Sequence, residues 1–137
     1  MAEVKKILLI DDEKDFCFFV KQILERSGRF QVSIAHTGET GLTLAQQNKP
    51  DLIILDVMMP NMSGPDVADA LLRNELLKSV PILFLTALVT EEEIGSRLMR
   101  EIGGRNFIAK PVEAHKLISC IDNTMRCGDV NCGAVAR

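Results

Sequence analysis

The sequence has no surplus of positive charge: 16 Lys and Arg against 19 Asp and Glu leave a formal net charge of -3. Nothing in that balance points to nucleic acid or to an anionic membrane surface, both of which select basic patches. Long apolar runs are missing too. The stretch from Ile7 to Ile10 is too brief for the core of a secretory leader, and no run approaches the ~20 apolar residues that span a bilayer. A cytoplasmic protein is expected. Metal-binding cysteine patterns are also lacking. Of the 4 cysteines, Cys17 and Cys120 fall inside helical patterns, where a thiol is ordinarily a small buried apolar group. Cys127 and Cys132 form a loose pair in a Gly-rich tail with no second pair nearby, and His36 and His115 flank nothing metal-like. Neither a zinc site nor a disulfide framework is expected. Repeats are absent, and 137 residues suffice for one domain with a real core but not for two.

What is present is a fivefold alternation of short β-rich runs with longer amphipathic stretches. Lys6 to Ile10 reads as a strand whose apolar run, Ile7 to Ile10, stops at Asp11, as in a strand buried on both faces. The period then changes: Phe16, Phe19, Val20, Ile23 and Leu24 share one helical face, Phe18 lies off it, and Gly28 suits the helix end. Gln31 to Ala35 reads as a second strand, and Gly38 to Gln47 as a weaker helix with Leu42 and Ala45 inward. Leu52 to Leu55 is a third buried strand ending on Asp56. A Met-rich loop leads to Gly64 and to a third helix with Pro65 in its first turn. Pro81 to Leu85 is a fourth strand ending at Thr86. A Thr90–Glu93 capping box opens a fourth helix, which Gly103 and Gly104 close, although Gly95 inside it costs about 1 kcal/mol relative to Ala. Asn106 to Ala109 is a fifth strand ending at Lys110-Pro111. A last helix runs from about Val112 to Met125 with Leu117, Ile118 and Ile121 inward. The tail after Arg126 is expected to fray.

Helices alternating with buried strands imply a parallel sheet covered on both faces, and such sheets bind ligands beyond the carboxyl ends of their strands. Those ends carry Asp11 and Asp12, Asp56, Thr86 and Lys110. Carboxylates about 4 Å apart repel by roughly 4 kcal/mol at an effective dielectric near 20, so their convergence calls for a cation. Hard oxygen donors suit Mg²⁺ better than zinc or copper. Magnesium, a Lys ammonium and a hydroxyl together neutralise a phosphoryl group, and a carboxylate can attack phosphorus to give an acyl phosphate. Any one of these residues alone is more often a solvated loop or cap residue; the four strand ends together are not.

The stretches Leu9-Ile10-Asp11-Asp12-Glu13, Asp56-Val57-Met58-Met59-Pro60-Asn61-Met62-Ser63-Gly64, Leu85-Thr86-Ala87 and Phe107-Ile108-Ala109-Lys110-Pro111 closely resemble the receiver domains of two-component response regulators, over roughly Lys5 to Met125. The resemblance implies a flavodoxin-like, doubly wound (βα)5 fold of class α/β, its five-stranded parallel sheet ordered 2-1-3-4-5, with the receiver domain over 1–126 and a flexible tail over 127–137. It implies a signalling module rather than an enzyme, catalysing only its own phosphoryl transfer and dephosphorylation. Asp56 resembles the phosphoacceptor. Asp11, Asp12, Asp56 and the backbone carbonyl of Met58 would hold Mg²⁺. Lys110, the Thr86 hydroxyl and the Ala87 backbone N–H would take phosphoryl oxygens, and Thr86 with Phe107 would form the switch.

The partners implied are a histidine kinase or a histidine phosphotransfer protein, and a downstream protein target or an effector domain. The partner-binding face would be the fourth helix, fifth strand and fifth helix, with homodimerisation on phosphorylation as one form of output. No nucleic acid is expected to bind this domain, and no membrane. The sequence departs from the common pattern in placing apolar Met58 and Leu88 two residues beyond Asp56 and Thr86, where they would hinder an attacking water and slow autodephosphorylation. Arg105 stands where relatives often carry an acid. A phosphatase with an Asp nucleophile would place D-x-D after the first strand, where this chain has Asp11-Asp12-Glu13. A scaffold that never takes phosphate would not need every site position intact. A cobalamin or flavin fold would show D-x-H-x-x-G or a phosphate-cradling Gly loop.

Overall fold

The computed structural model describes residues 4–86, 107–109 and 114–127. The elements are β1 (Lys5–Ile10), α1 (Lys14–Arg26), β2 (Phe30–Ala35), α2 (Gly38–Asn48), β3 (Leu52–Asp56), α3 (Gly64–Leu72), β4 (Ile82–Thr86), β5 (Phe107–Ala109) and a C-terminal helix (Ala114–Cys127). Every strand pairing is parallel. The sheet runs β2-β1-β3-β4, with the three-residue β5 laid along β4. The expected helix over 90–102 lies outside the described residues, as do Ala87, Leu88, Lys110, Cys132 and most of the tail.

Strand alternation divides the core in two. Leu8, Ile10, Ile53, Leu55 and Phe84 face one side, where they meet Ala45 of α2 and Val67, Ala68 and Leu71 of α3. Ile7, Leu9, Leu52, Ile54, Leu83 and Leu85 face the other, against Cys17, Val20 and Leu24 of α1 and Leu117 and Ile121 of the C-terminal helix. All five residues of β3 are buried, which is why that strand reads as an unbroken apolar run rather than an alternating one. Each fully buried Leu or Ile contributes roughly 1.5–3 kcal/mol relative to exposure, so the sheet is anchored from both sides.

One expectation fails on α1. Phe19 was assigned to the inward stripe, yet it is 47% exposed, while Phe16 and Ile23 are only partly buried. The helix presents Cys17, Val20 and Leu24 to the sheet, a stripe turned about one residue from the expected one. A thiol occupies little space, so the helix can approach the sheet along the Cys17 edge, and Phe19 rotates out beside Phe18, which is 62% exposed.

The helix ends follow local chemistry. Gly28 adopts φ +79° just past α1, the left-handed stop that glycine takes without a Cβ penalty. Thr37 caps α2 by accepting the Thr40 amide. Ser63 and Asp66 make a reciprocal capping box at α3, with Pro65 in its first turn.

Candidate functional site at the carboxyl edge of the sheet

Register puts the acidic residues together. Ile10 pairs with Leu55 across β1 and β3, so the next residue along each strand brings Asp11 beside Asp56. Asp11 donates its amide to the Ala35 carbonyl (3.0 Å), and Val57 donates to the Leu85 carbonyl (2.9 Å), so both strand ends remain tied into the sheet. Asp12 follows in the β1–α1 turn. One carboxylate oxygen from each of Asp11, Asp12 and Asp56 lies within 4.8 Å of the others, with Asp11 and Asp56 buried and Asp12 exposed. The geometry is that of a cup: two acids form its floor and one its rim.

The β1–α1 turn is held by its own first acid. The Asp11 Oδ1 accepts the Glu13 amide at 2.8 Å. The Asp11 carbonyl is approached by the Cys17 Sγ (3.3 Å) and by the His36 Nδ1 (3.1 Å). Neither Cys17 nor His36 was assigned to the site from sequence, because nothing in their spacing joins them to Asp11.

The β3–α3 loop leaves Asp56 through Val57 and Met58, whose side chain is 66% exposed. Asn61 takes a left-handed conformation with φ 71°, and the Gly64 amide returns to the Val57 carbonyl at 2.9 Å. Thr86 closes β4 and pairs with Ala109 of β5, while Phe107 pairs with Phe84. These pairings are backbone positions only. Of the expected site residues, then, Asp11, Asp12 and Asp56 converge and Met58 lies on the loop beside them. Thr86 ends the strand next to Asp56, and Lys110 and Ala87 lie outside the described residues.

As a donor set, three carboxylates bring at least three hard oxygens into one cup. That chemistry fits a small divalent cation that keeps some of its water, such as Mg²⁺, and disfavours soft-ligand metals.

A parallel α/β sheet with an acidic cup at its carboxyl edge defines a class of doubly wound domains built to meet a cation or an anionic ligand there. Comparison with known proteins narrows the class. The family model of the response regulator receiver domain matches residues 7–122. The alkaline phosphatase synthesis transcriptional regulatory protein PhoP of Bacillus subtilis is 36% identical over 126 residues, covering 92% of this chain and 50% of that protein. Protein PilH of Pseudomonas aeruginosa is 28% identical over 117 residues, 85% of this chain and 94% of its own. The crystal structure of Vibrio cholerae chemotaxis protein CheY4 superposes with a TM-score of 0.77 at 28% identity, covering 88% of this chain and 98% of that one. The chain belongs to the response regulator receiver family of two-component systems. It spans about half the length of the first curated regulators it matches. Among the described residues no helix is long and apolar enough to cross a membrane.

Proposed function

We propose that this domain accepts a phosphoryl group on Asp56 from a histidine kinase or a histidine phosphotransfer protein, and that the acyl phosphate alters a partner-binding face. The observation that carries the reading is the convergence of Asp11, Asp12 and Asp56 within 4.8 Å at the end of the two central strands.

In this reading an Asp56 carboxylate oxygen attacks phosphorus as the bond to the donor imidazole nitrogen breaks, and the imidazole leaves with a proton from solvent. Asp11, Asp12, Asp56 and the Met58 carbonyl would hold Mg²⁺, which when bound neutralises the growing charge on the phosphoryl oxygens. By holding that cation, Asp11 and Asp12 would offset the repulsion between an incoming phosphoryl group and the Asp56 carboxylate. Lys110, the Thr86 hydroxyl and the Ala87 amide take the remaining oxygens. Phosphorylation adds about −1.5 to −2 charges at pH 7, which draws Thr86 toward Asp56 and lets Phe107 fill the space beside it. The surface that changes is the fourth helix, the fifth strand and the fifth helix of a complete (βα)5 unit.

We read 1–126 as the receiver domain and 127–137 as a tail, a cytoplasmic signalling module rather than an enzyme that turns over a substrate. Its output passes to a downstream protein or an effector domain, with dimerisation as one form.

Intact mass after incubation with acetyl phosphate and Mg²⁺ tests the reading. One added phosphoryl group that disappears in Asp56→Asn is expected; no gain in the unaltered protein would return the domain to the role of a scaffold.

A further inference from the structure

The acidic cup has a support that the proposed phosphoryl chemistry does not itself require. Cys17, on the inner face of α1 and 1% exposed, directs its Sγ to the Asp11 carbonyl at 3.3 Å. His36, in the turn after β2, brings its Nδ1 to the same oxygen at 3.1 Å. The two groups stand 3.9 Å apart. A carbonyl oxygen has two acceptor lone pairs, so one thiol and one imidazole can satisfy both. For His36 to donate there, its hydrogen sits on Nδ1; the thiol–imidazole contact is then a meeting of two donors on one acceptor, not a nucleophile and its base. With that tautomer the two side chains act as a clamp on one oxygen.

We infer that Cys17 and His36 are positioning residues: by donating together to the Asp11 carbonyl they fix the peptide plane joining Asp11 to Asp12, and so hold both carboxylates toward Asp56. The inference rests on the proposed Mg²⁺-dependent reading of the cup. The need for a clamp is electrostatic. Ionised carboxylates within 4.8 Å of one another would repel, and in the absence of a cation that repulsion would act to open the β1–α1 turn. The Asp11 amide is already tied to Ala35 and its Oδ1 to the Glu13 amide. The carbonyl is the remaining handle on that residue's backbone, and it is gripped from two different elements, α1 and the β2–α2 turn. A preorganised cup binds its cation without first having to order the turn.

Donor-keeping and donor-deleting variants separate this role from simple packing. His36→Asn and Cys17→Ser each keep a hydrogen-bond donor near the same place; His36→Leu and Cys17→Ala remove it. Mg²⁺ titration by calorimetry on the full chain is the first readout, and hydrogen exchange of the Glu13 amide without metal is the second. A net hydrogen bond is worth close to a factor of five to ten in an equilibrium. The expected result is Mg²⁺ binding about fivefold to tenfold weaker in His36→Leu and Cys17→Ala, within about twofold of the unaltered protein in His36→Asn and Cys17→Ser, and faster Glu13 exchange only in the deleting pair. Equal Mg²⁺ affinity in His36→Leu and the unaltered protein overturns the clamp while leaving the cup's function standing. Equal losses in His36→Leu and His36→Asn overturn it as well, since bulk rather than the donor would then matter. Failure of the unaltered protein to bind Mg²⁺ overturns the functional reading itself, and the clamp with it.

Discussion

Gly64 lies so close to Asp56 that a Cβ in its place would run into the Asp56 carbonyl oxygen and crowd the Val57 Cα at 2.9 Å. The obstacle is backbone on a buried strand end, so it cannot swing aside as a flexible side chain would. Gly64→Ala is therefore expected to destabilise the domain by about 1–3 kcal/mol, the usual range for overpacking, and to slow phosphorylation by displacing the loop after Asp56. Urea unfolding measures the first effect and the acetyl phosphate mass assay the second. Stability within experimental error of the unaltered protein would mean that the loop gives way freely.

Three carboxylates in one cup store repulsion when no cation is present. The three carboxylates each place an oxygen within 4.8 Å of the others, and two unit charges about 5 Å apart interact by about 3 kcal/mol at an effective dielectric of 20, less at the exposed Asp12 after solvent screening. Asp56→Asn should thus raise thermal stability in chelator by about 1–2 kcal/mol, with the gain shrinking as Mg²⁺ is added. Thermal melts with and without Mg²⁺ read this directly, and a mutant less stable in chelator contradicts it.

Met58 stands two residues beyond Asp56 with its side chain 66% exposed, and in the proposed phosphorylated state it would be an apolar neighbour of the acyl phosphate. Replacing it by Asn, or Leu88 by Glu, offers a polar group to orient the attacking water. Each change is expected to shorten the phosphoryl half-life several-fold, as followed by phosphate release. Unchanged or longer lifetimes in both variants would show that these side chains do not limit hydrolysis.

Glu25 accepts the Val32 amide at 3.0 Å and the Lys21 ammonium at 3.1 Å, and these bonds, the backbone one foremost, hold its carboxyl below the ordinary carboxylate range. A depressed acid contributes stability above its unfolded pKa, near 4.3 for Glu, and loses it as pH falls through the lower folded value. The group is more than one-third exposed, so the contribution is small. Glu25→Ala should be slightly less stable at neutral pH, with the difference closing as the pH is lowered below about 4. Denaturation midpoints at several pH values would show this; a gap that widens toward acid has the wrong sign.

Much of the fold was legible because β1, β3 and β4 are buried on both faces and read as apolar runs, and because their ends carry the acids and Thr86. The stripe on α1 was legible only in part, Phe19 being the residue misplaced. Phe16, Phe19, Val20, Ile23 and Leu24 form a convincing helical face, yet Cys17, Val20 and Leu24 are the residues turned in. Periodicity alone cannot choose between two overlapping stripes; the choice is made by the small thiol of Cys17 reaching the Asp11 carbonyl, a tertiary contact. The same holds for His36, whose meeting with Asp11 depends on β2 lying beside β1. The end of α2 was legible to within one residue, Gln47 against Asn48; the left-handed Lys49 that closes it, at φ 50°, was not, since a lysine gives no warning of that conformation. That the acids sit at strand ends was legible in the sequence; that β1 and β3 are neighbours came only from the family resemblance, and the register that sets Asp11 beside Asp56 comes from the structure.

The pairing of Ile10 with Leu55 has a thermodynamic corollary. Asp11 and Asp56 belong to distant parts of the chain and meet only when β1 and β3 are zipped, so an unfolded chain offers a cation no comparable cup. Any ion bridging them behaves as a reversible staple across a long loop, adding to stability by mass action. If Mg²⁺ occupies the cup as proposed, the resistance of this domain to unfolding rises with the concentration of free divalent cation.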